Sequence, residues 1–139
     1  MLILLRNIWE LLQNTIGMLL SLGAKATLEY TCRDGETVIV YFTNNVFGCG
    51  VSLGEYILLD YETFYGIDQK IYDTVCHEHG HTKQSRMLGP FYLLAIGLPS
   101  CIGNIVDRIC HKGSEWHYSQ PWEAWADKLG GIKRKLITH

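Results

Sequence analysis

Residues 77–81 read His-Glu-His-Gly-His. Histidines four apart on a helix stack on one face, so His77 and His81 converge on one point, as helical zinc ligands do. Glu78 stands one residue on, about 100° around the axis. It can reach a water beside a metal without binding the metal, which is the place of a general base. His79 points nearly opposite and should not share that ion; its plain reading is a helix-surface histidine. Chance gives only about 0.015 HExxH matches in a chain of this composition.

A catalytic zinc needs a third protein ligand and an open position. The longer HExxHxxGxxH form is absent, because Met87 stands where its last histidine would be. The downstream candidates are Glu115 and Glu123, with His111 and His117 as nitrogen alternatives. The best local pattern is Glu123-Ala-Trp-Ala-Asp127, which puts both carboxylates on one helical face. Glu123 suits the metal. Asp127 suits the free N–H of a ligand histidine, whose tautomer it would fix. The plainer alternatives are a carboxylate favoured by the helix dipole at Glu123 and a solvated charge at Asp127.

HExxH followed by ExxxD resembles the gluzincin class of zinc metallopeptidases. The Glu-Ala-Trp-Ala-Asp element is similar to the third-ligand helix of membrane-linked endopeptidases of the CAAX-prenyl-protease type. More narrowly, residues 77–85 (HEHGHTKQS), with Leu88-Gly-Pro90, Gly97-Leu-Pro-Ser100 and Pro121-Trp-Glu123, resemble small bacterial proteins with an HExGHxxQS pattern. That likeness covers about half the chain. The likeness to the larger enzymes covers only the two metal helices, so their substrates are not implied.

The resemblance implies a minimal zincin-like unit that hydrolyses a peptide or protein substrate. Zn²⁺ would be held by His77, His81 and Glu123, acidifying a water and polarising the scissile carbonyl. Glu78 would take the water proton and pass it to the leaving amine. His117 and Tyr118 are candidate donors to the oxyanion, and a nearby strand would hold an extended peptide by edge pairing. Gln84 and Ser85 continue the metal face. Trp116, Tyr118, Trp122 and Trp125 bracket Glu123, as core packing or as a pocket wall. The alternative is a non-catalytic metal-binding or membrane-associated interaction protein.

The elements that must position these residues fit one α+β domain spanning 1–139. The chain is 47% hydrophobic and 19% charged with net charge −2, which excludes disorder. No strong basic field invites nucleic acid; the only basic cluster is Lys133, Arg134 and Lys135. Five cysteines with no CxxC read as small buried thiols in a reducing, intracellular compartment.

A small antiparallel sheet of about three strands is expected. Thr27–Arg33 alternates, Asp34-Gly35 signals a type I′ hairpin, and Glu36–Thr43 is apolar enough to be central. A third strand falls within Val51–Asp60. Asp68 caps a helix that runs to Leu88 and stops at Gly89-Pro90. Gly80 inside it costs about 1 kcal/mol against Ala, which points to close packing, with the sheet as the expected partner. Met87–Val106 is uncharged but interrupted by Gly and Pro, which predicts a core hairpin, with membrane insertion as the alternative. Glu115–Gln120 reads as a loop. Pro121 opens a short helix that ends at Gly130-Gly131. Residues 1–24 do not fit a signal peptide, because Arg6 follows the apolar start and Glu10 interrupts it. They predict a helix on the core or in a membrane interface.

Overall fold

The computed structural model describes residues 1–46 and 49–134. Lys135 of the basic cluster and Gly48 lie outside them, as does the side chain of Asp68. The described residues form a mixed α+β fold of seven α-helices and a four-stranded sheet.

Strands β1 (Ala26–Thr31) and β2 (Thr37–Thr43) pair antiparallel. Their loop is not a type I′ turn. Only Gly35 takes positive φ, at 86°. The Gly35 N–H bonds Cys32 O at 2.9 Å and the Cys32 N–H bonds Glu36 O at 2.8 Å. This is a three-residue loop with a bulge, which needs one left-handed residue rather than two.

The expected third strand is a hairpin of two, β3 (Gly50–Leu53) and β4 (Tyr56–Asp60). The order is β1-β2-β4-β3, and β4 runs parallel to β2 with Val40 opposite Ile57. The sheet is therefore mixed and four-stranded, not antiparallel and three-stranded. The residues explain the order. Ile57, Leu58 and Leu59 are apolar on both faces and suit an interior strand. β3, with Gly50 and Ser52, takes the edge. β2 is central, as its composition suggests.

Each face of the sheet has its own core. On one, Val40, Phe42, Ile57 and Leu59 pack against Ile71 and Val75 of α4 (Asp68–Leu88). On the other, Leu53 and Leu58 meet Ile16 and Leu20 of α2 (Leu11–Ser21). α3 (Tyr61–Phe64) is a single turn after β4, and α4 starts at Asp68 itself, with Ile67 at the cap position. α1 (Leu2–Trp9) precedes α2 and breaks from it at Glu10; no residue of α1 is buried.

Beyond α4 come α5 (Leu98–Cys110), α6 (Ser114–Ser119) and α7 (Pro121–Gly130). The stretch after Leu88 is not a buried hairpin. A 3-10 turn at Gly89–Phe91 and a π-helical turn at Leu93–Gly97 lead straight into α5. Pro99 falls in the first turn of α5, at its junction with the π-helical turn. Over Leu93–Cys110 the mean hydropathy is 1.4 and only 11% is buried. The expected loop at 115–120 is mostly α6.

α7 crosses α4 at van der Waals distance. A Cβ on Gly80 would lie 2.0 Å from Ala126 O, and one on Gly130 would lie 2.1 Å from Cys76 O. The close packing read from Gly80 exists, but its partner is α7, not the sheet. All five cysteines are free. Cys32 and Cys76 are buried as expected, whereas Cys101 and Cys110 on α5 are exposed.

Candidate metal centre

The α4–α7 crossing brings His77, His81 and Glu123 together. Each imidazole Nε2 lies 3.0 Å from Glu123 Oε2. The two rings meet edge to face, 4.7 Å between centroids. All three residues are buried, and Glu123 is 0% exposed. Their ligand atoms lie within 4.8 Å of one another.

The other ring nitrogens are occupied. His77 Nδ1 stands 2.7 Å from Asp127 Oδ1, and His81 Nδ1 stands 2.7 Å from Gln84 Oε1. Gln84 is itself fixed, because its Nε2 donates to Trp122 O at 2.9 Å. Both Nδ1 atoms therefore donate, and both Nε2 atoms face Glu123. In neutral rings that sets two lone pairs and a carboxylate around one point. Three acceptors so placed need a cation among them, either a proton or a metal ion. The donor set and its burial fit a divalent ion that accepts nitrogen and oxygen ligands.

The electrostatics follow from the same contacts. Burial opposes charge on His77, but its bonds to Asp127 and Glu123 outweigh burial and hold it up at about 9. Burial would raise Glu123, yet His77 and His81 bring it well below the usual carboxylate range. Asp127 is also lowered: burial pushes it up, and the bonds to His77 and Arg134 outweigh that. Burial lowers His117 and raises Tyr118.

Glu78 faces β3. Ser52 Oγ lies 2.9 Å from Glu78 Oε2 and 2.7 Å from Glu78 O, so its single hydroxyl proton serves one acceptor at a time. Gly50 makes the room, since a Cβ there would lie 2.6 Å from Glu78 Oε1. A cavity of about 650 Å³ reaches His77, Glu78, His81 and Glu123, bounded by β3 and α5. His117 and Tyr118 line it too. His117 Nε2 is 3.6 Å from Glu123 Oε1, and its buried Nδ1 has no partner among the described residues. The Tyr118 ring meets His77 edge to face at 5.1 Å. A larger hollow of about 880 Å³ lies between α1 and α2, lined by apolar residues such as Leu2, Ile8 and Leu12, away from this chemistry.

The structure thus brings together His77, Glu78, His81, Glu123, Asp127, His117 and Tyr118. Glu115 and His111 are exposed and stand apart. The three tryptophans near Glu123 are half-buried. Ser85 does not bond the site; it donates to Glu10 Oε1 at 2.5 Å. His79 is no surface residue. It is fully buried, with Nε2 at 2.9 Å from Asp34 Oδ2 and 3.2 Å from Glu36 Oε2. Lys83 and Arg86 already neutralise those carboxylates, so this second cluster has no charge left for a metal.

Sequence reasoning missed two contacts. Ser100 Oγ donates to Glu123 Oε1 at 2.5 Å from α5, and Ser52 bonds Glu78 from β3. A lone serine carries no periodic signal. Gly50 within a strand did carry one, because such glycines mark close approach. No family model, curated protein or solved structure matches this chain.

Proposed function

We propose that this protein is a zinc-dependent, gluzincin-like metallopeptidase built on a zincin-like fold. The observation that supports this most is the convergence of His77 Nε2, His81 Nε2 and Glu123 Oε2 beneath a cavity that also receives Glu78. When bound, zinc supplies a Lewis acid that lowers the pKa of a water and polarises a carbonyl.

The chain's own residues divide the remaining work. Glu78 takes a proton from the attacking water and delivers it to the leaving amine nitrogen. The Ser52 hydroxyl holds one oxygen of that carboxylate and leaves the other to exchange the proton. Asp127 and Gln84 fix both histidines with Nε2 toward the ion. Ser100 engages Glu123 Oε1 and so directs Oε2 between the imidazoles. His117 and Tyr118 stand at the cavity wall as donors to the developing oxyanion. β3 is the edge strand beside the cavity, where an extended peptide would add main-chain hydrogen bonds. The exposed aliphatic faces of α1 and α5 serve as the membrane contact in this proposal.

Elemental mass spectrometry of the purified chain is the first test. About one zinc per chain, lost in His77→Ala, is the expected result. Glu78→Gln should keep the zinc and lower peptide hydrolysis by about 10²- to 10⁴-fold. Zinc without Glu78-dependent hydrolysis would leave a metal-binding protein that is not a peptidase. A chain that holds no metal and takes none up when zinc is offered would end the proposal.

A further inference from the structure

Arg134 reaches the metal centre through the end of α7. Gly131 takes φ 73°, and its N–H bonds Lys128 O. The Ile132 N–H bonds Asp127 O at 2.8 Å. This pair of bonds, six-to-one and five-to-two, is a Schellman stop, and it turns the chain back along the helix. Ile132 packs against the core on the α4 side of the sheet, which fixes the returning segment. Two residues later, Arg134 lies beside Asp127. Its Nε donates to Oδ2 at 2.6 Å and its Nη2 donates to Oδ1 at 3.1 Å. The same guanidinium lies 3.5 Å from the centre of the Tyr118 ring.

These contacts converge on His77. Asp127 Oδ1 accepts from both His77 and Arg134. Tyr118 meets the His77 ring edge to face. We propose that Arg134 is a positioning residue of the metal centre: it clamps Asp127 and Tyr118, and through them orients His77 toward the ion. This rests on the metal centre proposed above. The two-pronged clamp requires a planar fork and a stackable face, which a lysine ammonium lacks.

The test uses the full chain, with Co²⁺ as the probe and its visible absorption band as the readout. Arg134→Ala should weaken Co²⁺ binding about tenfold, the low end for partners behind a ligand, and shift the band. Arg134→Lys should restore only part of the loss. In an Asp127→Asn background, Arg134→Ala should cost less than it does alone, because only the route through Tyr118 then remains to be lost. Unchanged binding in Arg134→Ala would overturn the proposal, as would a full additive loss in the double variant. A wild-type chain that binds no Co²⁺ or Zn²⁺ overturns the metal centre itself, a distinct failure. Thermal melts by circular dichroism check folding. Should Arg134→Ala not fold, Arg134→Gln carries the same comparison with the side chain's bulk retained.

Discussion

The central helix α4 and the outer helices α1 and α5 invert the usual arrangement. α4 buries His77, Glu78, His79, His81, Thr82, Gln84 and Ser85. α1 and α5 leave aliphatic side chains in the open: Leu2 is 82% exposed and Ile109 is 72% exposed. The first departure explains itself. Each buried histidine and carboxylate on α4 has a named partner, and burial of polar groups is tolerated on that condition. The second has no cover among the described residues. Apolar faces this extensive mark a contact surface. Burial here follows partnership rather than polarity, and each region can be tested on its own terms.

The strongest test of the buried region is its closest approach. Gly80→Ala or Gly130→Ala places a methyl where backbone already stands. Neither α4 nor α7 can yield without moving His77 or Glu123. Each substitution should cost about 3 kcal/mol in urea unfolding and lower metal content in parallel. A loss under about 1 kcal/mol would mean that the helices can part, and that something other than this crossing sets the site.

Gln84 comes next. It accepts from His81 and donates to Trp122 O, so Gln84→Leu strands the buried His81 Nδ1 and removes a part-buried bond to Trp122 O. The expected cost is about 2 kcal/mol of stability. Zinc affinity should fall about tenfold. A variant that binds zinc as tightly as the parent chain would show that His81 keeps its orientation without this bond.

The same residues show how far sequence carries. HExxH and ExxxD were legible because helical periodicity turns spacing directly into geometry, and Asp127 lies where that spacing puts it. Pro121 and Gly131 marked α7 because their backbone preferences are local. The sheet was read less well. Whether β4 pairs with β2 or β3 takes the interior depends on packing against α2 and α4, which no local pattern encodes. Gly54-Glu55 is the turn that divides the expected third strand into β3 and β4. Ser52 and Ser100 reach the site from distant segments. In the sequence Arg134 is only one of three basic residues, although Gly131 marks where the chain turns.

For the exposed region the expected effect on folding is small. Leu94 and Ile109 are each 72% exposed, and Leu94→Glu with Ile109→Glu should change stability by no more than about 0.5 kcal/mol. The same pair should abolish co-flotation with phospholipid vesicles. Retained flotation would remove α5 from the proposed membrane contact. A large loss of stability would mean that this face is covered by another part of the molecule or a second copy.

The two regions meet at Glu10, in the break between α1 and α2. Its carboxylate is fully buried. One oxygen accepts from Ser85 of α4; among the described residues the other has no partner, nor has Gln13 Oε1. Burial raises the Glu10 pKa; Glu55 adds to this, while Ser85, Arg86 and Arg6 work against it. A carboxyl raised on folding contributes its stability at acid pH and loses it as pH rises past the raised value. The N-terminal helices should therefore dock more firmly at pH 5 than at pH 8. Glu10→Gln removes the charge, and its amide can serve Gln13 Oε1. The variant should gain about 1 kcal/mol at pH 8 and little at pH 5. Hydrogen exchange of α1 and α2 at both pH values measures this. Equal protection at the two pH values in the parent chain would place the Glu10 charge in water and detach the polar interior from the apolar rim.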